Sequence, residues 1–163
     1  MKENMKEKIW LSQEAYNKLK DELLFLSTSK REEIKKKVAQ ARSEGDLKEN
    51  GGYHAAREEQ GKNEGRIREI EYKLANAEIS SVSSTDIIQA GSLITAKIDD
   101  QNSKFVLGSR EIKPTLNDSS IDVYSLTSPI GRAVLNAKKN QIVEYIAPSG
   151  KKIKIKILKI ETI

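Results

Sequence analysis

An α+β fold is predicted, with a long antiparallel helical coiled-coil hairpin followed by a small β-rich domain that carries one short helix. Three observations support it. Residues 1–80 contain 33 charged side chains, 17 basic and 16 acidic, and no proline, whereas residues 81–163 contain 20 and all three prolines, Pro114, Pro129 and Pro148. Apolar residues in the first part recur at coiled-coil spacing, and those in the second part fall into short segments, one of them with period-two alternation. The implied organisation is a hairpin over 1–80 with its tip near 44–53, a linker over 81–90 and a globular domain over 91–163.

The first helix is expected over 12–43. Ser12 suits its N-cap, with Leu11 and Tyr16 placed to form a hydrophobic staple. Tyr16, Leu19, Leu23 and Leu26 follow at spacings of 3, 4 and 3, and after the polar stretch Ser27–Glu33 the apolar positions resume at Ile34, Val38 and Ala41. Gly45 lies where a left-handed residue ends a helix. The second helix shows Asn63, Ile67, Ile70, Leu74 and Ala77 at spacings of 4, 3, 4 and 3, and stops before the serine-rich stretch at 80–85. Two such helices should pack antiparallel over about 45 Å. Their seam should thin toward the tip to Ala39, Ala41, Ala55, Ala56 and Gln60, a weakly held end.

In the second part, strands are expected at Ser92–Ile98, Lys104–Gly108, Ile121–Leu126, Gln141–Ala147 and Lys151–Ile160, the last two joined through Pro148-Ser149-Gly150. Ile153, Ile155 and Ile157 alternate with Lys152, Lys154 and Lys156, and the phase breaks at Ile157-Leu158, a position for a bulge. The lysine stripe is most simply protection of an edge strand. Ser128 can cap a short helix that has Pro129 at its first position and runs through Leu135 to about Ala137.

Composition narrows the chemistry. The absence of cysteine excludes disulfide scaffolds and thiolate chemistry, and the single histidine, His54, excludes a His-pair metal site within one chain. No apolar run reaches the ~18–20 residues that span a bilayer, and the N-terminal segment lacks a signal-peptide core. A soluble cytoplasmic protein with no membrane partner is expected. The net charge of +5 permits an anionic partner without requiring nucleic acid.

The link between the helices holds Asp46 and Glu49, three apart, among Gly45, Gly51 and Gly52. Two convergent carboxylates can share a hard cation or orient a water, but Mg²⁺ demands six oxygens, so another macromolecule or its phosphates must complete the shell. Arg42, Lys48, Arg57, Lys62 and Arg66 flank the acids and suit a phosphodiester backbone. The simpler account is that the acids favour the start of the second helix through its dipole and the glycines make the turn. His54 reads as a partly exposed helix residue rather than a general base.

The run Glu44-Gly45-Asp46-Leu47-Lys48-Glu49-Asn50, then Tyr53-His54-Ala55-Ala56-Arg57-Glu58-Glu59-Gln60-Gly61 and Glu64-Gly65-Arg66-Ile67, resembles the tip and second helix of the Gre family of bacterial transcript-cleavage factors. Leu11–Tyr16, Leu19–Leu23, Asn76–Ile79 and Ser128–Leu135 resemble further signatures of that family, in order along nearly the whole chain. The resemblance implies a coiled-coil hairpin and a C-terminal domain resembling FKBP-type isomerases, although Phe105, Tyr124 and Tyr145 alone could not line an aromatic proline pocket. It implies that Ser128, Pro129, Ile130, Gly131 and Arg132 dock on RNA polymerase at the rim of its secondary channel. Asp46 and Glu49 would then help hold a Mg²⁺ shared with the polymerase, none being bound stably alone. They would also position the water that cleaves backtracked RNA at its nascent 3′ end.

Near the tip, Arg42, Lys48, Asn50, Tyr53 and Arg57 would contact RNA or polymerase, and transcribed DNA would be met only indirectly. The expected agent is thus a monomeric accessory factor, not a standalone enzyme. The alternative is a non-cleaving coiled-coil regulator of the channel or a chaperone-like binding module. Many relatives have Ala-Glu where this chain has Gly51-Gly52, which removes one tip acid and loosens the start of the second helix.

Overall fold

The computed structural model describes residues 8–46, 48–79 and 85–163. Its elements are β1 (Ile9–Trp10), α1 (Gln13–Phe25), a π-helical turn (Leu26–Lys30), α2 (Arg31–Ser43), α3 (Gly51–Ala75) and β2 (Ala77–Glu78). There follow β3 (Ser92–Ile98), β4 (Gln101–Leu107), a 3₁₀ turn (Arg110–Thr115), β5 (Asp122–Tyr124), α4 (Pro129–Val134), β6 (Ile142–Ile146) and β7 (Lys152–Thr162). Two compact units result. One is Asn17–Asn76, and the other joins the chain up to Tyr16 with Ala77–Ile163.

The hairpin unit confirms a helical run up to Ser43, but the run is not uniform. Leu26 and Ile34 are eight apart in sequence, one more than the heptad allows, and an unbroken α-helix would carry Ile34 off the seam by about one residue's rotation, ~100°. The π turn at Leu26–Lys30 absorbs the extra residue. Ser27 Oγ donates to the carbonyl of Leu23 at 2.7 Å and Thr28 Oγ1 to that of Leu24 at 2.6 Å, back-bonds that bend a helix and compete with its ladder. From the facing helix the buried Asn63 amide donates to the Leu26 carbonyl at 3.1 Å.

Beyond the π turn the seam is restored: Ile34, Val38 and Ala56 form a buried cluster with Tyr53 against it, and Ala41 is buried. The end near the tip is therefore packed, contrary to the expectation of a weakly held end, while Ala39 and Ala55 are exposed. Ion pairs join the helices along their length: Glu22–Arg66 at 2.8 Å, Arg31–Glu64 at 2.9 Å and Glu59 with Lys30 and Lys37 at 3.1 and 3.2 Å. The contacts of Glu22 and Glu64 with arginine are two-pronged.

In the second unit the strands pair in the order β5-β4-β3-β7-β6, antiparallel except β4 with β5. Ile94, Ala96, Phe105, Leu107, Ile155, Ile157 and Ile160 pack from its inner face against Ile88, Ile130, Val134 and Ala137. The register jumps from Thr95–Lys159 to Ala96–Ile157, so Leu158 is the extra residue of the bulge expected there. Two expectations need correction. The strand β7 lies between β3 and β6 and is not an edge, so its lysines do not protect one. Of the linker expected over 81–90, residues 81–84 lie outside the described residues, and Ile88 is fully buried, donating through its N–H to the Ala137 carbonyl at 2.8 Å.

The division at residue 80 is displaced as well. The strands β1 and β2 pair in parallel, Ile9 with Ala77 and Trp10 with Glu78, and the Ser109 N–H donates to the Trp10 carbonyl at 3.0 Å. The chain before Tyr16 and after Ala77 thus belongs to the sheet unit.

Candidate functional site

The link between α2 and α3 is built by short-range hydrogen bonds. Helix α2 ends at Glu44, whose N–H donates to the Ala41 carbonyl, and Gly45 follows at φ +146°, a conformation that L side chains rarely adopt. The Glu49 N–H donates to the Asp46 carbonyl at 3.3 Å, and the Lys48 N–H to Asp46 Oδ1 at 3.1 Å. An i to i+3 turn of this kind keeps the ends within about 7 Å, so Asp46 and Glu49 are neighbours in an exposed loop. Within the tip, Leu47 alone lies outside the described residues.

Asn50 clasps the loop at its far side. Its Oδ1 accepts the Tyr53 N–H at 3.0 Å, capping α3, and its amide donates to the Ala41 carbonyl at 2.5 Å, near the end of α2. One side chain therefore ties the end of one helix to the start of the next. Arg42 holds its guanidinium 5.7 Å from the Tyr53 ring centre, a cation–π contact that fixes a basic group beside the acids. Arg57 donates to Gln60 Oε1 at 2.6 Å, while Lys48 is exposed. The Nε2 of exposed His54 lies 3.4 Å from the Lys48 carbonyl.

Gly51 and Gly52 are the first two residues of α3 and not a loosened entry to it. A Cβ at Gly51 would meet nothing within 4 Å, and one at Gly52 only Asn50 Oδ1 at 3.4 Å.

The donor chemistry of Asp46 and Glu49 suits a hard cation, but only in part. Among the described residues no group of three or more His, Cys, Asp or Glu side chains could hold a metal. Asp46 Oδ1 is occupied by the turn, which leaves Oδ2 and the two Glu49 oxygens to face outward. Two carboxylates fit as part of a Mg²⁺ shell whose remaining oxygens come from elsewhere.

The second set of predicted residues lies on α4. Ser128 Oγ accepts the Gly131 N–H at 3.0 Å and donates to the Ser125 carbonyl at 2.7 Å. Gly131 and Ile130 are buried, and a Cβ on Gly131 would come 2.1 Å from the Ser125 oxygen, so these residues hold the helix in place. Pro129 and Arg132 are the exposed members of the set.

Sequence reasoning missed the role of Asn63, although it stood out as a polar residue on an apolar seam. It likewise missed Asn50 as a clasp, for which the Asn-x-x-Tyr capping spacing was the available signal.

No helix among the described residues is long and apolar enough to cross a membrane. Two family models match the chain: "Transcription elongation factor, N-terminal" over residues 9–79, and "Transcription elongation factor, GreA/GreB, C-term" over 83–162. Transcription elongation factor GreA of Streptomyces coelicolor is 45% identical over 156 residues, covering 93% of this chain and 92% of that protein. Transcription elongation factor GreA of Rhodopseudomonas palustris is 42% identical over 153 residues, covering 91% of this chain and 94% of that protein. A crystal structure of GreA factor homolog 1 (Gfh1) of Thermus thermophilus overlays 95% of this chain and 99% of its own at a TM-score of 0.44, with 21% identity.

Proposed function

The chain belongs to the GreA/GreB family of transcription elongation factors, and on that premise we propose that it promotes hydrolysis of the transcript in a backtracked RNA polymerase through Asp46 and Glu49. The observation that carries this reading is a pair of exposed carboxylates in one turn, clasped at the end of a helical hairpin. In this reading the sheet unit docks on the polymerase through the exposed Pro129 and Arg132 on a helix seated by Ser128, Ile130 and Gly131. The hairpin enters the secondary channel and brings its tip to the RNA 3′ end.

There the two carboxylates accept hydrogen bonds from a water and aim its oxygen at the phosphodiester. The P–O3′ bond breaks, the water oxygen remains on phosphorus, and the departing O3′ takes a proton to become the new transcript end. Mg²⁺, held by Asp46 and Glu49 together with polymerase groups, would supply positive charge for the reacting phosphate and acidify the water. Arg42 and Arg57 meet backbone phosphates, while Lys48, Asn50 and Tyr53 shape and flank the turn. The chain acts as an accessory that lends two side chains to another enzyme's centre, as a monomer in the cytoplasm where that enzyme works.

The test is Asp46→Asn with Glu49→Gln in stalled complexes, reading RNA cleavage and polymerase binding together. The expected result is cleavage slowed about 100-fold or more with binding unchanged. Undiminished cleavage would remove both acids from the chemistry and leave a channel-binding regulator.

A further inference from the structure

The lysines of β7 do not guard an edge, and their arrangement carries a cost that packing does not explain. Lys152, Lys154 and Lys156 are exposed at alternate positions, about 6.8 Å apart, on the sheet's outer face. Lys97 on β3 is the register partner of Lys156, and Thr95 on the same face is flanked by Lys104 and Lys159. Like charges directly opposed across strands destabilise a sheet. Lys159 pairs with Glu161 and Lys151 with Asp99, but Lys97, Lys152, Lys154 and Lys156 have no carboxylate within ion-pair distance among the described residues. These four line one open depression with Asp99, Asp100 and Ile142. The remaining acid on this stretch of the face is Glu144, across from Lys154. Six lysines against Glu144, Glu161 and the turn acids leave the face strongly positive.

We infer that this outer face binds the phosphate backbone of double-stranded DNA, independently of sequence. The cross-strand repulsion is relieved when phosphates take the place of the counterions these lysines otherwise gather. Lysine, a compact and strongly hydrated charge, suits phosphates, whereas protein interfaces are depleted in lysine and favour arginine, which is absent from this face. Its strands present no aromatic side chain on which a splayed base could stack, since Phe105, Tyr124 and Tyr145 all pack against the core, so the duplex is favoured over a single strand. Ile142 and Ile146, both exposed on β6, border the lysines and offer apolar contact to the sugars. This surface is separate from Asp46 and Glu49 and from α4, so its role stands or falls independently of transcript cleavage.

The experiment measures binding of a fluorescent DNA duplex of about 20 base pairs by anisotropy across a salt series. The protein is compared with a variant in which Lys97, Lys152, Lys154 and Lys156 are changed to Gln. The slope of log affinity against log salt should fall by about 3 to 4, with affinity reduced more than about 10-fold at low salt. Changing Lys18, Lys35, Lys36 and Lys62 on the hairpin to Gln removes the same charge and should cost less than about 2-fold; changing the four face lysines to Arg should preserve the slope. Far-UV circular dichroism confirms folding, and the single change Lys154→Glu provides a second reading should the fourfold variant melt early. Equal losses from the face and hairpin sets, or an unchanged slope, would overturn the inference. So would tighter binding of the single strand of the same length. Displacement of the duplex by poly-glutamate at lower concentration than by unlabelled duplex would assign the face to an acidic protein instead.

Discussion

If the π turn exists to absorb one surplus residue, deleting Ser29 should be tolerated better than deleting a residue in α2. Removing Ser29 brings Leu26 and Ile34 to the heptad interval, so a regular helix can run through with Ile34, Val38 and Ala41 all on the seam. Deleting Lys36 offers no such escape. Either Val38 and Ala41 rotate off the seam by about 100°, or the π turn closes and Ile34 rotates off instead. Ile34 is 1% exposed and Val38 8%, so either path uncovers a buried aliphatic side chain at a cost of about 2–3 kcal/mol.

The role of Asn63 sharpens the test. Its amide serves the Leu26 carbonyl, so Asn63→Leu should cost about 1–3 kcal/mol in the parent. With Ser29 deleted, that carbonyl enters the regular ladder, the buried amide loses its acceptor, and Asn63→Leu should now stabilise. The hairpin unit is of the size for which 1 kcal/mol shifts the melting temperature by about 4–8 °C, well within reach of thermal circular dichroism. A double-mutant cycle should therefore show a change of sign. If Asn63→Leu costs the same in both backgrounds, or the Ser29 deletion is as damaging as that of Lys36, the account of the π turn fails.

Three further outcomes are expected. Asn50→Ala should remove the clasp at a cost of about 1–2 kcal/mol and slow cleavage while leaving polymerase affinity intact; Asn50→Asp keeps the cap but sets a carboxylate against the Ala41 carbonyl and should not restore the rate. Gly51→Ala should stabilise the hairpin by about 0.5–1 kcal/mol, read as a raised melting temperature, because its Cβ meets open space in a first helical turn. Hydrogen bonds from Lys30 and Lys37 hold Glu59 below its ordinary value of 4.5, and the Arg31 contact does the same to Glu64. Carboxylates lowered in the folded state stabilise above their unfolded pKa and lose that contribution as pH falls through the folded one. Hairpin stability should therefore be flat from about pH 7 to 5.5 and decline below about 4.5, less steeply in Glu64→Gln.

Features that depend on near neighbours in the chain were legible. Ser12 takes the Ala15 N–H at 3.2 Å and Ser128 takes that of Gly131, each capping as its residue type and position required. The bulge at Leu158 followed from a break in alternation, and the turn carrying Asp46 and Glu49 from the glycine beside it. The eight-residue step from Leu26 to Ile34 was visible, but whether a chain answers it with a gap, a bend or a π turn depends on the facing Asn63, 37 positions away. The β1–β2 pair lay out of reach for the same reason, since two-residue strands have no period to detect. The lysine stripe was misjudged because strand order, which decides what is an edge, is a property of the whole sheet.

The parallel pairing of Ile9 with Ala77 has a consequence for how the chain comes to be folded. Trp10 is among the earliest described residues to be synthesised, yet its carbonyl waits for the N–H of Ser109, and the ladder that completes the sheet ends at Thr162 beside Ser92. Closing a loop of that span costs little beyond a shorter one, because the entropy grows only with the logarithm of length, but the search is slow. The intervening helices can form first from local contacts and bring both ends of the loop together. The order of events on the ribosome is then hairpin, sheet, and last the return of the N-terminal segment to a surface made a hundred residues after it.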